Sequence, residues 1–266
     1  MHPLIQADAL RDRLGEVVIC DLRWSLTEPA KGRRTYEDGH IPGAVFVDLD
    51  RDLSAPPGEN GRHPLPPIGD FSKTLGRLGV TPGDHVVAYD DSAGAIAARL
   101  WWMLRSIGHD RSQVLDGGYQ AWVEAGHPVE HGSNTPTGAP DYPVPDSYGG
   151  VTTLEDLSGR TVVDARSPER YRGEFEPVDP KAGHIPGAIN LPHSGNLDAA
   201  GMFLSPDLLS NRFEGLGAAP VMSCGSGVTA CHNALAMAVA SLDMPDVYVG
   251  SFSEWSRQDM PVEPGQ

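Results

Sequence analysis

The pentapeptide His-Ile-Pro-Gly-Ala at residues 40–44 occurs again at residues 184–188, 144 positions later. Two further pairs of segments match in the same order, 17–23 with 161–166 and 118–122 with 251–255. A period above one hundred residues indicates duplicated domains rather than a solenoid of short repeats. The first half contains His40 and the second its counterpart His184. Because both halves have the pentapeptide, we interpret it as a structural turn into a strand.

A segment rich in proline, glycine and small polar residues separates the two halves at 131–150. Such a composition disfavours both helices and interior strands, so we predict a linker there. The sequence therefore predicts a first domain at 1–130 and a second domain at 151–266.

Within each half, short β-branched runs alternate with longer helical patterns. We predict strands at 17–20, 45–48, 85–89, 113–115, 161–163, 188–191, 220–223 and 247–249, and buried helices at 94–107 and 228–241. This alternation is typical of an α/β fold in which a mainly parallel sheet is covered by helices on both faces. Ligands of such sheets bind where strands end and helices begin.

The chain has 266 residues and a formal net charge of −16, which disfavours nucleic acid and anionic membrane surfaces as partners. It contains no run of eighteen apolar residues, and its first residues lack the pattern of a secretory signal. Three cysteines are an odd number, which favours a reducing compartment. We therefore expect a cytoplasmic protein, and we expect Cys20 and Cys231 to be small core residues. The spacing of the cysteines also disfavours zinc.

The loop Cys-Gly-Ser-Gly-Val-Thr-Ala at 224–230 lies between a predicted buried strand and a predicted helix. Gly225 and Gly227 allow backbone angles that turn successive N–H groups inward. These groups and the helix N-terminus stabilise a negatively charged sulfur, so Cys224 is the candidate nucleophile. A buried cysteine before an ordinary glycine turn is the alternative. The first half has Asp90 at the equivalent place, which predicts one active site per chain.

The tandem halves, the repeated pentapeptide and the Cys224 loop together resemble the two-domain rhodanese-like sulfurtransferases over nearly the whole chain. In that family the second domain carries the catalytic cysteine and the first is inactive. The resemblance implies two tandem rhodanese-like domains and transfer of sulfur through a persulfide on Cys224.

Gly225 and Ser226 make the loop most similar to the 3-mercaptopyruvate branch, because thiosulfate-using members have basic residues there. In that branch the loop serine belongs to a Ser-His-Asp relay, which the resemblance places on Ser226, His63 and Asp50. Asp50 as a helix cap and His63 as a solvated loop residue are the alternatives.

The resemblance also assigns substrate binding to Arg170 and to the loop residues Gly225, Gly227, Val228 and Thr229. An arginine suits this role because its guanidinium holds a carboxylate with two hydrogen bonds. The family has a second arginine nine positions later, where this chain has Asp179.

Three other functions use the same fold or a loop cysteine. A phosphatase with this fold needs an arginine six positions after the cysteine, and Ala230 stands there. Thiosulfate sulfurtransferase remains the near alternative, and a non-enzymatic sulfur carrier or regulatory binding module remains the distant one. We expect a monomer without cofactor or metal. The expected partners are a small-molecule sulfur donor and an acceptor such as thioredoxin, a small thiol or cyanide.

Overall fold

The computed structural model describes residues 1–265, which group into two compact units. The first unit contains Met1–Ser54, Pro66–Gly149 and Ala200–Met202, and the second contains Ala55–Leu65, Gly150–Ala199 and the chain from Phe203 onward. The short segment Ala55–Leu65 therefore belongs to the second unit, although it lies in the first half of the sequence.

The first unit is built on a five-stranded parallel sheet in the order β1-β5-β4-β2-β3. Its strands are β1 Leu4–Ile5, β2 Val18–Asp21, β3 Val45–Phe46, β4 Val86–Tyr89 and β5 Ser112–Leu115. Its helices are α1 Ala7–Arg11, α2 Lys31–Asp38, α3 Leu49–Asp52, α4 Ile68–Arg77, α5 Ala97–Ser106 and α6 Gly118–Glu124.

The second unit repeats this design with the strand order β6-β10-β9-β7-β8, again all parallel. Its strands are β6 Val151–Thr152, β7 Val162–Asp164, β8 Ile189–Asn190, β9 Val221–Ser223 and β10 Asp246–Tyr248. Its helices are α7 Pro168–Arg172, α8 Pro206–Arg212, α9 Ala230–Val239 and α10 Ser251–Trp255, with 3₁₀ turns at Glu155–Leu157 and His193–Asn196.

The central strand of each sheet shows that both faces of the sheet are covered. All residues of β4 and β9 are buried, and successive side chains of a strand point to opposite faces. The predicted α/β fold with two parallel sheets is thereby confirmed. The two edge strands β1 and β6 were not predicted, because two residues are too few to show a periodicity.

The repeated pentapeptide has the same structural role in both units. His40 stacks on Tyr36 with ring centroids 4.1 Å apart, and His184 stacks on Tyr171 at 3.8 Å. The backbone of His40 pairs with that of Glu130, and the backbone of His184 pairs with that of Glu263. Both histidines therefore hold a turn together, as the sequence predicts.

The proline-rich segment contains no helix or strand between residues 131 and 149. Tyr142 lies in its middle and is buried, where its hydroxyl contacts Nδ1 of His109 at 2.8 Å. The segment groups with the first unit, so it packs on that domain along much of its length. None of the helices within residues 1–265 has the length and apolar character needed to cross a bilayer.

Candidate active site

The Cys224 loop connects β9 to α9 at the carboxyl end of the second sheet. Its thiol is buried, and Sγ accepts hydrogen bonds from the backbone N–H groups of Gly227 at 3.1 Å and Ser226 at 3.4 Å. These N–H groups stabilise negative charge on the sulfur. Val228 and Thr229 complete the turn into α9, which begins at Ala230 with Thr229 as its N-cap residue.

Two backbone features hold this loop. Gly227 has φ +76°, and a β-carbon there would lie 2.3 Å from the carbonyl oxygen of Val249, so only glycine fits. Ser251 has φ +52°, a left-handed conformation that is uncommon outside glycine. Its buried hydroxyl accepts from the N–H of Cys224 at 3.1 Å and donates to the carbonyl of Tyr248 at 2.8 Å. The strained serine therefore anchors the backbone of Cys224.

Ser226 and His63 lie together, although 163 residues separate them. Oγ of Ser226 is 2.7 Å from Nδ1 of His63, and both side chains are buried. The segment Ala55–Leu65 reaches this place because the N–H of Arg62 donates to Oγ of Ser253 at 3.0 Å. The alternative of a solvated His63 is therefore wrong.

Asp50 belongs to the first unit, in helix α3. Its carboxylate accepts a hydrogen bond from the indole N–H of Trp24 at 2.8 Å. The helix cap is Asp48, whose side chain accepts from the N–H groups of Asp50 and Arg51, so the capping alternative for Asp50 is wrong. Its role in a relay stays a prediction.

Two arginine side chains lie against the loop at Gly225. A β-carbon built on this glycine would lie 2.8 Å from Nη2 of Arg62 and 3.2 Å from Nη1 of Arg170. Arg170 projects from α7, as its predicted role requires, whereas Arg62 was not singled out from the sequence. Its position next to His63 is the one sequence signal that pointed to it. The loop itself carries no basic residue, so its neighbourhood is made positive from outside.

The carboxylate of Asp179 is buried among three arginines. It forms ion pairs with Arg62, with Nη2 of Arg170 at 3.2 Å, and with Nη1 of Arg257 at 3.7 Å. Burial raises the pKa of Asp179, although the arginines favour its ionised form. Burial likewise lowers the pKa of Arg62, against the opposing charges of Asp179 and a Cys224 thiolate. A guanidinium nevertheless stays charged at neutral pH.

Glu176 is the second acid beside this arginine cluster. It accepts from Arg170 at 2.8 Å and lies 3.4 Å from Arg166. Burial acts to raise the pKa of Glu176, but the hydrogen bonds from Arg170 and from the N–H groups of Asp179 and Val178 outweigh it. The pKa of Glu176 therefore lies below its usual value, so Glu176 is a carboxylate that fixes Arg170.

The other two cysteines support the fold. Cys20 is fully buried in β2, and burial raises the pKa of its thiol to about 12. Cys231 is buried in α9, where Sγ donates to the carbonyl of Gly227 at 3.3 Å. Within residues 1–265, no group of three or more His, Cys, Asp or Glu side chains is arranged to hold a metal ion.

The buried Cys224 follows a central parallel strand, its sulfur accepts two backbone N–H groups, and the other unit has Asp90 at this place. This arrangement is typical of tandem α/β enzymes that react through a cysteine. The rhodanese-like domain family matches residues 6–125 and 151–258. The chain belongs to this family, and it is a sulfurtransferase.

The relatives divide between two sulfur donors. A probable 3-mercaptopyruvate sulfurtransferase of Pseudomonas aeruginosa is 42% identical over 95% of this chain and 94% of its own. A putative thiosulfate sulfurtransferase of Mycobacterium tuberculosis is 41% identical over 90% of this chain and 88% of its own.

A solved structure supports the fold over nearly the whole chain. The 3-mercaptopyruvate sulfurtransferase of Leishmania major superposes with a TM-score of 0.87 at 34% identity. The match covers 95% of this chain and 74% of that one.

Proposed function

We propose that this enzyme takes sulfur from 3-mercaptopyruvate, carries it as a persulfide on Cys224 and releases pyruvate. The main support for this proposal is the hydrogen bond of 2.7 Å between Ser226 and His63. Ser226 lies two residues after Cys224. A hydroxyl backed by an imidazole is a proton-transfer device, and thiosulfate offers no carbon that needs a proton.

In the proposed reaction, the Cys224 thiolate attacks the sulfur of the donor and a sulfur–sulfur bond forms. The carbon–sulfur bond of the donor breaks, and its electron pair passes to the enolate of pyruvate. Ser226 supplies a proton to the enolate, and His63 replaces that proton on the serine. The acceptor then removes the outer sulfur and regenerates the thiolate.

The remaining predicted residues have defined roles in this proposal. Asp50 orients His63, as the family resemblance implies. Arg170 binds the donor carboxylate, and the loop from Gly225 to Thr229 surrounds the reacting sulfur. The partly buried position of Arg170 beside Gly225 and its fixation by Glu176 support the binding role.

Thiosulfate remains the second candidate donor. The arginines around Asp179 attract anions in general, and the Mycobacterium tuberculosis relative is described as a putative thiosulfate sulfurtransferase. A non-enzymatic carrier would load sulfur without turnover. In each case, a mass increase of about 32 Da on Cys224 identifies the persulfide.

The acceptor and the cellular setting are also proposals. We infer that a thiol such as thioredoxin or a small thiol, or cyanide, removes the outer sulfur. We further infer that the enzyme acts as a monomer in the cytoplasm. The odd number of cysteines and the need for a reduced Cys224 support a reducing compartment.

A two-donor assay of the wild type and Ser226→Ala tests the proposed function. We expect the wild type to show a higher kcat/KM for 3-mercaptopyruvate than for thiosulfate. We expect the substitution to lower turnover of 3-mercaptopyruvate about 100-fold, because a general acid is lost, and to spare thiosulfate turnover.

Ser223→Ala is the matched control, because Ser223 adjoins Cys224 and its buried hydroxyl has no hydrogen-bond partner within residues 1–265. We expect this control to stay within about twofold of the wild type with either donor. A wild-type preference for thiosulfate, or equal losses with both donors in Ser226→Ala, would contradict the proposal.

A further inference from the structure

Asp179 fixes the two guanidiniums that face the loop. Its carboxylate pairs with Nη1 of Arg62 and with Nη2 of Arg170, and its side chain is completely buried. The remaining terminal nitrogens, Nη2 of Arg62 and Nη1 of Arg170, point to Gly225 and form no hydrogen bond within residues 1–265. Nε of Arg62 is buried and also lacks a partner there. N–H donors from two arginines are thus available beside Cys224.

Such a pair of donors suits an anion. Each guanidinium can direct one N–H group to a different oxygen of the same carboxylate, which gives two charge-assisted hydrogen bonds. Arg62 comes from the segment Ala55–Leu65 and Arg170 from α7, so neither element forms this arrangement alone. The shared carboxylate of Asp179 brings their charges together.

The same carboxylate sets the charge of the site. Four arginines contribute positive charge (Arg62, Arg166, Arg170 and Arg257), and three carboxylates contribute negative charge (Asp164, Glu176 and Asp179). The cluster therefore carries one net positive charge. This matches a monoanion such as 3-mercaptopyruvate, whereas thiosulfate carries two negative charges.

We propose that Asp179 determines donor specificity: it positions Arg62 and Arg170 as a carboxylate clamp and limits the cluster to one net positive charge. Arg62 is then a donor-binding residue, and Asp179 is a positioning residue that favours monoanionic over dianionic donors. This inference rests on the proposed function for the identity of the monoanion. Its test, however, depends on how the preference changes and not on which donor the wild type prefers.

The decisive experiment measures kcat/KM for 3-mercaptopyruvate and for thiosulfate in three variants. Asp179→Asn keeps the shape and adds one positive charge to the cluster, so the ratio of the two values should shift about 10-fold toward thiosulfate. Arg257→Gln removes one positive charge and should shift the ratio in the opposite direction. The double variant restores the wild-type charge, so its ratio should return to within about threefold of the wild type.

Arg62→Gln tests the clamp directly. We expect KM for 3-mercaptopyruvate and the inhibition constant of pyruvate to rise at least about 10-fold, with a smaller change in kcat, and Arg62→Lys to recover part of the loss. A ratio that does not move in Asp179→Asn, or a double variant no closer to the wild type than either single one, would overturn the inference. If the wild type prefers thiosulfate while the ratios move as stated, the proposed donor fails and the inference stands. Thermal unfolding of each variant separates charge effects from loss of fold.

Discussion

The first unit carries Asp90 at the end of its central strand, where the second carries Cys224. The carboxylate of Asp90 is buried and accepts four backbone hydrogen bonds of 2.7–2.9 Å, from Ser92, Gly94, Ile96 and Ala97. Cys224 accepts two such bonds at its sulfur. Both loops therefore direct backbone N–H groups at one side chain, which is a carboxylate in the first unit and a thiol in the second.

The surroundings of the two loops are matched in other respects. The carbonyl of Asp90 accepts from the N–H of Tyr119 at 2.8 Å, and that of Cys224 accepts from Phe252 at 3.0 Å. The residue before each of these is left-handed, Gly118 in the first unit and Ser251 in the second. Of these two residues, only Ser251 has a hydroxyl, and this hydroxyl accepts a hydrogen bond from the N–H of Cys224. The two loops therefore share a backbone design and differ in the side chain that receives its N–H groups.

Cys224→Ser should have the largest effect of the substitutions in these two loops. We expect kcat/KM to fall by at least about 1,000-fold with any donor, because a serine hydroxyl neither forms an anion nor holds sulfur at neutral pH. Mass spectrometry after incubation with donor should show no added sulfur. Cys231→Ser is the control and should keep most activity, since a serine hydroxyl can also donate to the carbonyl of Gly227. Persulfide on another cysteine of the Cys224→Ser variant would refute the assignment.

Asp90→Asn tests whether the first loop is structural. The amide NH₂ would face two backbone N–H groups in place of an oxygen, so we expect a loss of about 2–3 kcal/mol in the free energy of unfolding. Urea denaturation followed by circular dichroism measures this loss. Asp91→Asn, its less buried neighbour, should change stability by less than about 0.5 kcal/mol. Activity per folded molecule should stay unchanged, and an Asp90→Asn protein as stable as wild type would contradict the interpretation.

Ser251→Gly introduces glycine, the residue type that the first unit has at the equivalent position Gly118. It has the smallest expected effect. The N–H of Cys224 loses its acceptor, so kcat/KM should fall about threefold to tenfold. Relief of the left-handed strain, about 1 kcal/mol, should offset much of the lost hydrogen bond in stability. Steady-state kinetics and thermal unfolding measure the two quantities. Ser251→Ala keeps the strain and removes the hydroxyl, so it should be the less stable of the pair.

Most of the fold was predictable because it depends on local patterns. Strands β2, β4 and β9 lie within one residue of their predicted positions, since their apolar runs fit buried parallel strands. The helices around residues 94–107 and 228–241 begin two to three residues later than predicted, because the backbone of each preceding loop donates N–H groups to Asp90 or Cys224 instead of forming a helical turn. The edge strands β1 and β6 could not be predicted, because their pairing with a neighbouring strand defines them and their composition does not.

The candidate site was predictable in part. Cys224, Gly225, Ser226 and Gly227 form one continuous loop, whose chemistry follows from its order of residues. His63 came from the family resemblance, and the structure places it on Ser226. Arg62 was missed because its partner Asp179 lies 117 residues away.

The duplication, the parallel α/β fold and the candidate nucleophile can be inferred from the sequence, because each depends on short-range order along the chain. The charges that lie beside the Cys224 loop, in contrast, become visible only in the folded chain. The segment Ala55–Leu65 packs into the second unit and brings Arg62 to Asp179. Electrostatic interactions act through space, so the net charge around Cys224 depends on which distant side chains the fold brings within a few ångströms.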